Sequence, residues 1–370
     1  MDIEHFLEQA TPDWMHTNST NDDIVISTRI RLARNLINFR FPICFSEDEA
    51  LQIDRVISNV FTDNESLPNT FSYFPIHELT ILQRKVLVEK HLISPQLARK
   101  ENVGAVLLSE DESISILVNE EDHLRIQCLT PGLRIMSAYT NAEEIDQVLE
   151  EELPYAYHDD FGYLTSCPTN IGTGLRASVM MHLPALTSTN QMSQLINAMT
   201  RLGMTVRGIY GEGSENLGNI YQVSNQITLG KTEDDILKDL QSVAEKIIQK
   251  ERQARKALIA HAPMVLEDRI HRSLGTLTSA RIIASEEAAT CLSNVWLGVD
   301  LGIIRGISKA TLMDCMIIMQ QGFLQLKAGM DLQPDERDLY RAKMLREALL
   351  LHRDTAHIKL GEKGEKPYDV

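Results

Sequence analysis

The chain changes character near residue 255, and this change is the strongest constraint on its fold. Before that position, short segments in which apolar and polar residues alternate are mixed with segments of helical spacing. Beyond it the alternation ends, and helical spacing recurs over residues 263–273, 279–297, 308–328 and 334–353. We therefore predict an α+β domain over residues 1–255, an all-helical domain over residues 256–360 and a flexible tail over residues 361–370.

The strand-like segments before residue 255 favour an antiparallel sheet. Residues 23–35 begin with clear alternation, and residues 104–119 are typical of two strands around a polar turn. Further strands are predicted over residues 124–130, 174–183, 204–211 and 219–225. Helices are predicted over residues 48–61, 78–93, 142–153, 190–203 and 232–258. Because hairpin-length connections outnumber helical crossovers, we predict an antiparallel sheet flanked by helices.

Composition excludes several classes of protein. The 52 acidic and 36 basic residues give a net charge of −16, which argues against nucleic-acid binding through a broad basic surface. No apolar run approaches the roughly 18–20 residues of a membrane span, and the first residues lack the apolar segment of a signal peptide. The five cysteines are scattered without a CxxC pair. This pattern indicates a reducing compartment, here the cytoplasm, and argues against disulfides and a zinc site.

Five arginines stand at predicted strand ends or beside glycines. They are Arg29 and Arg31 in STRIR, Arg125 in NEEDHLR, Arg176 in GTGLRAS and Arg207 in VRGIYGEG. Guanidinium groups bind phosphate oxygens in pairs and stay charged, so several converging arginines could hold a polyphosphate. The pattern GxxxxGK[ST] is absent, so such a site would not be a P-loop. Taken singly, each arginine is more often an ordinary surface residue.

Carboxylates and a thiol occur in the same part of the sequence. Glu120, Glu121 and Asp122 follow a predicted strand, and Glu212 lies between glycines. An acidic cluster is usually a solvated turn, but a carboxylate framed by glycines is also typical of a mobile segment. Cys167 lies in SCPTNIGTGLR, a loop that combines a proline, two glycines and a terminal arginine. The alternative to a functional role for Cys167 is a buried, inert thiol.

Together these segments resemble the signature motifs of the phosphagen kinases, the family of creatine kinase and arginine kinase. STRIRLARN, VNEEDHLR, CPTNIGT, GTGLRAS and RGIYGEGSE occur in the family order, and the resemblance covers residues 24–254. Two features depart from the family pattern. The small helical N-terminal domain that holds a free guanidino substrate is missing, and a helical domain follows the catalytic one. This layout is similar to that of the bacterial protein arginine kinases, whose open site implies a polypeptide substrate.

The resemblance implies a mechanism and a set of site residues. Glu121 matches the carboxylate that orients and deprotonates the acceptor guanidinium, and Glu212 matches a second carboxylate that clamps it. Cys167 would lie beside the same guanidinium as a partial thiolate that positions the cation. ATP and Mg²⁺ are the implied cofactors, with Mg²⁺ bound by phosphate and water oxygens and by no protein ligand. The implied nucleotide contacts are Ser27, Thr28, Arg29, Ile30, Arg31, His91, Arg125, Arg176, Ala177, Ser178, Val179, Met180, Arg207, Gly208, Ile209, Tyr210 and Gly211.

The helical domain contains RDLYRA, which resembles the phosphoarginine-sensing motif of protein arginine kinases. Arg337 and Arg341 are four residues apart on one face of the predicted helix, where two guanidinium groups could grip one phosphate. Asp338 could accept a hydrogen bond from the guanidinium half of the same ligand. The alternative interpretation is an amphipathic helix with ordinary i,i+4 charge pairs.

The implied function is ATP-dependent phosphorylation of protein arginines, which marks proteins for Clp-type degradation in the bacterial stress response. The implied partners are proteins with exposed arginines, the heat-shock repressor among them, a Clp unfoldase, a zinc-binding activator protein and further copies of the chain. Direct binding to nucleic acid or to a membrane is not expected. Two alternatives stay open: a kinase for free arginine or another small guanidine, and a phosphoarginine-binding adaptor. Retention of Glu121, Glu212, Cys167 and the five arginines argues against the adaptor.

Overall fold

In the part of the chain that the structure describes, the segments in which apolar and polar residues alternate form strands of one large sheet. The computed structural model describes residues 1–12, 15, 21–63, 67–101, 103–208 and 218–354. Its strands are β1 (Val25–Arg34), β2 (Phe71–Pro75), β3 (Ala105–Ser109), β4 (Ile114–Val118), β5 (Leu124–Pro131), β6 (Tyr157–His158), β7 (Gly162–Tyr163), β8 (Leu175–His182), β9 (Met204–Gly208) and β10 (Ile220–Asn225). Eight of them form an antiparallel sheet in the order β2-β3-β4-β5-β1-β8-β10-β9, and β6 pairs with β7 separately.

Helices flank this sheet and follow it in the sequence. They are α1 (Ile3–Glu8), α2 (Glu47–Asp63), α3 (Ile81–Glu89), α4 (Pro95–Ala98), α5 (Ile135–Glu152), α6 (Pro184–Ser188), α7 (Met192–Arg201), α8 (Glu233–His261), α9 (Pro263–Ser279), α10 (Ser285–Asp300), α11 (Lys309–Ile318), α12 (Gln321–Ala328) and α13 (Pro334–Asp354). None of these described helices has the length and apolarity needed to cross a membrane. The predicted α+β fold with an antiparallel sheet and a helical C-terminal region is confirmed.

Some predicted bounds are wrong for local reasons. The predicted helix over residues 308–328 is two helices, because Gln320 adopts an extended conformation (φ −72°, ψ 150°) between α11 and α12. The helix predicted from residue 279 begins only at Ser285. Four short elements, α1, α4, β2 and the β6–β7 hairpin, had no periodicity long enough to predict them. The predicted tail over residues 361–370 lies outside the described residues.

The sheet has one apolar face and one face that carries arginines. Successive side chains of a strand point to opposite faces, so Ile30 and Leu32 point away from Arg29 and Arg31. Ile30 and Leu32 are buried in a cluster completed by apolar residues of α2, α5 and α8. Burying one such side chain contributes about 1.5–3 kcal/mol. A one-residue slip would expose this whole set, so the apolar face sets the register of the arginines.

The C-terminal helices pack against one end of the arginine-bearing face. Ile26, Met180 and Ile220 of the sheet share a buried cluster with residues of α9, α10, α11 and α13. A further cluster joins α1, α3 and α4 to Ile317 and Phe323. The predicted boundary at residue 255 falls inside α8, which begins with a capping box formed by Thr232 and Asp235. The division into domains stays a prediction.

Candidate active site

Strand register places the predicted arginines side by side. Arg31 of β1 lies directly opposite Arg176 of β8, and Ala33 lies opposite Arg125 of β5. Residues that face each other across antiparallel strands point to the same side of the sheet. Arg29, two positions before Arg31, shares that side. Four arginines from three neighbouring strands therefore meet on one face.

Arg207 joins them from the far edge of the sheet. It lies opposite Gln222 of β10, which in turn lies opposite Met180 of β8. Gln222 also accepts a hydrogen bond from Arg29, with an Nη2–Oε1 distance of 2.6 Å. The arginine face thus extends from β5 to β9, and all five predicted arginines lie on it.

The arginines raise each other's electrostatic energy. Burial, and after it the charges of Arg29, Arg125 and Arg176, holds the pKa of Arg31 well below its usual value. Burial together with Arg207 and Arg125 likewise lowers the pKa of Arg176. An anion bound on this face would reduce the repulsion among the guanidinium groups, so the face favours binding of a polyanion.

Adjoining cavities form one cleft over these side chains. A cavity of about 630 Å³ is lined by Arg31, Arg125 and Arg176. A second, of about 390 Å³, shares Arg31 and Arg125 and adds Arg29. A third, of about 90 Å³, shares Arg176 and adds Arg207. The first two volumes fall in the range of ligand-binding pockets, roughly 300–1,000 Å³.

The two neighbouring glutamates of the NEED motif have different environments. The Glu120 side chain is 1% exposed and holds Arg125 at 2.6 Å, while its other oxygen accepts from Ser94. The Glu121 side chain is 33% exposed and lies 2.9 Å from Nη2 of Arg125. Both residues line the large cavity. Glu120 therefore anchors Arg125, and Glu121 is the carboxylate that can reach a ligand.

Asp122 ties the loop of Glu121 to the loop of Cys167. Its Oδ1 accepts hydrogen bonds from Asn35 Nδ2 and from the main-chain N–H of Ser166, both at 2.7 Å. Asp122 and Asn35 are almost completely buried. Since Glu121 precedes Asp122 and Ser166 precedes Cys167, this single oxygen sets the relative position of the two predicted acceptor-binding groups. No local sequence pattern marked Asp122 or Asn35 as positioning residues.

Cys167 stands at the start of a short 3₁₀ turn formed by residues 168–170. It is a free, half-buried cysteine whose Sγ lies 3.1 Å from Oγ1 of Thr169. The Cys167 side chain is close enough to Arg176 to interact electrostatically with its guanidinium group. A Cβ on Gly174, which has φ +63°, would lie 2.6 Å from the carbonyl oxygen of Ala33. The glycine therefore lets the thiol loop lie directly against β1.

The remaining predicted nucleotide contacts divide between the two faces of the sheet. Ser27, Ser178 and Met180 line a cavity at the end of the arginine face. The side chains on the other face are buried in or against the apolar core; they are Thr28, Ile30, Ala177 and Val179. Gly208 ends β9. The other predicted residues of that segment lie outside the described residues; they are Ile209, Tyr210, Gly211 and Glu212.

His91 follows α3 in a left-handed conformation, with φ 63°. Its carbonyl oxygen accepts a hydrogen bond from Gln127 Nε2 at 2.9 Å. Burial and the nearby charge of Arg29 lower the pKa of His91 to about 3, so its imidazole is neutral at physiological pH. His91 and Arg29 line the same cavity. The contact of His91 with a nucleotide stays a prediction.

The RDLYRA motif lies on α13, the last described helix of the C-terminal region. Arg341 is buried and donates to the carbonyl oxygens of Met319 and Ile283, both at 3.0 Å, and to Asp338. Arg337 donates to the carbonyl oxygen of Leu332 at 3.1 Å. The two guanidinium groups thus have separate main-chain partners, and Arg341 also holds α13 to its neighbours. The phosphoarginine-sensing role stays a prediction.

Several cleft residues had little signal in the sequence. Ser94, Arg99 and Asn170 line the large cavity. A serine followed by a proline is a typical helix start, and this pattern marks Ser94 as the N-cap of α4. In the structure the Ser94 hydroxyl accepts a hydrogen bond from the Leu97 N–H. Nothing in the local sequence indicated that this cap would also donate to Glu120.

Two family models match adjoining parts of the chain. Residues 52–254 match the family described as ATP:guanido phosphotransferase, C-terminal catalytic domain, and residues 263–359 match the protein-arginine kinase McsB C-terminal domain. The protein-arginine kinase of Geobacillus sp. (strain WCH70) is 52% identical over 94% of this chain and 97% of its own length. That of Bacillus licheniformis is 52% identical over 95% of this chain and 97% of its own length.

Solved structures of related kinases share the fold. Lombricine kinase superposes with a TM-score of 0.56 at 25% identity, covering 67% of this chain and 72% of that one. The taurocyamine kinase of Schistosoma mansoni superposes with a TM-score of 0.58 at 24% identity, covering 70% of this chain and 39% of that one. The sequence relatives, the family matches and the arginine-lined cleft agree, and the chain belongs to the ATP:guanido phosphotransferase family and, within it, to the protein-arginine kinases.

Proposed function

We propose that this enzyme transfers the γ-phosphoryl group of ATP to arginine side chains of proteins. The observation that supports this most directly is the cleft in which five arginines converge beside a partly exposed Glu121. Such a cleft offers a polyphosphate site next to a carboxylate suited to a cationic acceptor. The relatives at 52% identity are protein-arginine kinases, which supports a protein acceptor.

The chemistry starts from the weak nucleophilicity of a guanidinium group, whose pKa is above ~12. Glu121 accepts a proton from the acceptor nitrogen and orients it toward the γ-phosphorus. A nitrogen–phosphorus bond forms, and the bond from that phosphorus to the bridging oxygen of ADP breaks. The arginine face neutralises the charge on the phosphate oxygens during transfer, so catalysis rests on positioning and electrostatics.

Cys167 and Glu212 complete the acceptor site in this proposal. Cys167 lies on the loop that Asp122 ties to Glu121, so its thiolate would face the same guanidinium. Glu212 would clamp the remaining guanidinium nitrogens; it lies outside the described residues. Two carboxylates and a thiolate around one cation would select a guanidinium over a neutral acceptor.

Magnesium would arrive with the nucleotide. Among the described residues there is no group of three or more His, Cys, Asp or Glu side chains placed to hold a metal ion. Arginines outnumber glutamates among the charged side chains of the two larger cavities. This excess of cationic groups fits a metal ion held by phosphate and water oxygens. When bound, Mg²⁺ supplies charge neutralisation at the phosphates.

We further propose that phosphoarginine made by this enzyme marks proteins for a Clp unfoldase in the cytoplasm during stress. In this proposal the heat-shock repressor is among the targets, a zinc-binding activator protein stimulates the kinase, and the chain forms homo-oligomers. Arg337, Asp338 and Arg341 would bind phosphoarginine and report product to the catalytic cleft. These proposals rest on the family resemblance.

The decisive experiment is mass spectrometry of a basic protein incubated with the enzyme and Mg-ATP under conditions that preserve acid-labile P–N bonds. We expect phosphoarginine with the wild type and with Glu110→Gln, a matched change of an exposed glutamate outside the cleft. Glu121→Gln should give almost none. Phosphorylation of free arginine in preference to the protein would instead support the small-guanidine kinase, and ATP-independent binding alone would support the adaptor.

A further inference from the structure

The short helix α4 forms part of the wall of the large cavity that contains Glu121. At its N-terminal end, the Ser94 hydroxyl donates a hydrogen bond to the carboxylate of Glu120. At its C-terminal end, Nζ of Lys100 donates to the main-chain oxygens of Asn119 and Glu120. Both ends of α4 are thus attached to the loop that carries Glu121, and these contacts fix the position of α4 relative to that carboxylate.

Two polar side chains extend from α4 into this cavity. Gln96 and Arg99 are exposed, and both line the cavity that contains Glu121. Neither is among the described residues that line the cavities of Arg29 and Arg207. Gln96 and Arg99 therefore lie on the side of the cleft that we assign to the acceptor.

Arg99 differs from the other arginines of the cleft in its environment. The carboxylates of Glu120 and Glu121 both pair with Arg125, at 2.6 and 2.9 Å. The guanidinium group of Arg99 has no hydrogen bond or ion pair within the described parts of the chain. Its positive charge is therefore available to a bound molecule.

An unpaired cation at this position opposes the binding of a cationic acceptor. The acceptor is itself a guanidinium group, and like charges closer than the Debye length of about 8 Å repel each other at physiological ionic strength. A carboxylate beside the target arginine would offset this repulsion and pair with Arg99. Arginine and carboxylate can form two parallel hydrogen bonds, which adds a geometric preference to the attraction.

The cavity has room for residues that flank a target arginine. Its volume of about 630 Å³ is that of a pocket for a drug-sized ligand, which is larger than a guanidinium and a phosphoryl group together. Space therefore remains along the wall formed by α4 for a neighbouring side chain of the same polypeptide.

We infer that Arg99 is a specificity-determining residue that selects target arginines with an aspartate or a glutamate close by in the polypeptide. The inference rests on the proposed function, because it assumes a protein acceptor. Arg99 would contact the flanking carboxylate and not the reacting atoms, so its effect is on the KM for the polypeptide, with kcat retained. An exposed ion pair changes affinity by at most about fivefold.

The test compares three peptides that contain one arginine and differ only in the residues beside it, which are Asp, Ala or Lys. The full-length wild type should phosphorylate the Asp peptide with a kcat/KM about threefold above that of the Ala peptide, and the Lys peptide should be the poorest. Arg99→Ala should remove most of this preference, and Arg99→Glu should reverse it. Arg55→Glu makes the same charge change at an exposed arginine of α2 that lines none of the cleft cavities, and should keep the wild-type order.

Calorimetry with ADP separates this role from phosphate binding. The Kd for ADP should be the same in the wild type and in Arg99→Glu. An unchanged peptide order in Arg99→Glu, or equal kcat/KM values for the three peptides in the wild type, would overturn the inference. A raised Kd for ADP in Arg99→Glu with activity lost on every peptide would also overturn it, and would make Arg99 a phosphate ligand. If the wild type phosphorylated free arginine but none of the peptides, the proposed function would fail, and the inference with it.

Discussion

The strongest prediction concerns Asp122, which holds two predicted acceptor-binding loops together without lining the cleft. Asp122→Asn keeps an oxygen at the position that accepts from Asn35 and from Ser166 N–H, but removes the negative charge. A hydrogen bond to a charged group contributes about 1.5–3 kcal/mol, and one to a neutral group about 0.5–1.5 kcal/mol. Two bonds weakened by roughly 1 kcal/mol each predict a loss of about 2 kcal/mol in the free energy of unfolding.

The same change should lower catalysis. The amide NH₂ of the new asparagine would replace Oδ2 of Asp122, which has no hydrogen-bond partner among the described residues. The NH₂ group would then be buried without an acceptor, and the loop that carries Glu121 would shift to provide one. A displacement of about 1 Å between the base and the acceptor can cost roughly 10²-fold in rate. We therefore expect kcat in Asp122→Asn to fall by about 10–10²-fold with the Kd for ATP unchanged.

A matched control separates positioning from stability. Glu251 is a buried carboxylate that accepts two main-chain N–H groups, from Ala185 and Leu186, at 3.0 and 2.9 Å. Glu251→Gln should destabilise the protein at least as much as Asp122→Asn, since it also weakens an ion pair with Arg255, but should leave kcat unchanged. Urea denaturation and steady-state phosphorylation of a protein substrate provide the two measurements. Equal kcat values for wild type and Asp122→Asn, with the stability loss present, would refute the positioning role.

Three further outcomes are expected. In urea denaturation, Gly174→Ala should destabilise the protein by roughly 1–3 kcal/mol more than Gly230→Ala. Both glycines have positive φ, but of the two only Gly174 would place a Cβ against a main-chain oxygen. Equal losses in the two variants would contradict this steric argument. Cys167→Ser should lower kcat, and a thiolate-selective alkylating agent should inactivate the wild type more slowly with acceptor bound; full activity after alkylation would exclude the thiolate role. The pKa of His91 is lowered in the folded state to about 3, so below pH 6.5 the unfolded chain binds more protons than the folded one. The free energy of unfolding therefore decreases as the pH falls from 6.5 toward 3, by at most about 1.4 kcal/mol per pH unit. Denaturation of wild type and His91→Gln at pH 7 and 5.5 should show a steeper acid loss in the wild type, and parallel curves would refute the assignment.

Local patterns in the sequence were sufficient to predict the long elements. The alternation of residues 23–35 predicted β1, and the helical spacing of residues 232–258 predicted α8. The family motifs predicted the arginines, Glu121 and Cys167 because each motif is contiguous. Short elements escaped prediction, since a hairpin such as β6–β7, with two residues per strand, has no detectable period.

The sequence by itself therefore determined which chemical groups the protein carries and which long strands and helices present them. The family motif predicted Glu121, but only tertiary structure decided that Glu120 is buried and anchors Arg125, because this burial depends on Ser94 and Arg125 from other elements. It also decided that Arg176 lies opposite Arg31, since burial of the apolar face sets the strand register. The packing of Trp296 and Met316 against the arginine-bearing face is equally a tertiary fact, because contacts between distant segments depend on the shape of the assembled core and leave no local pattern in the sequence.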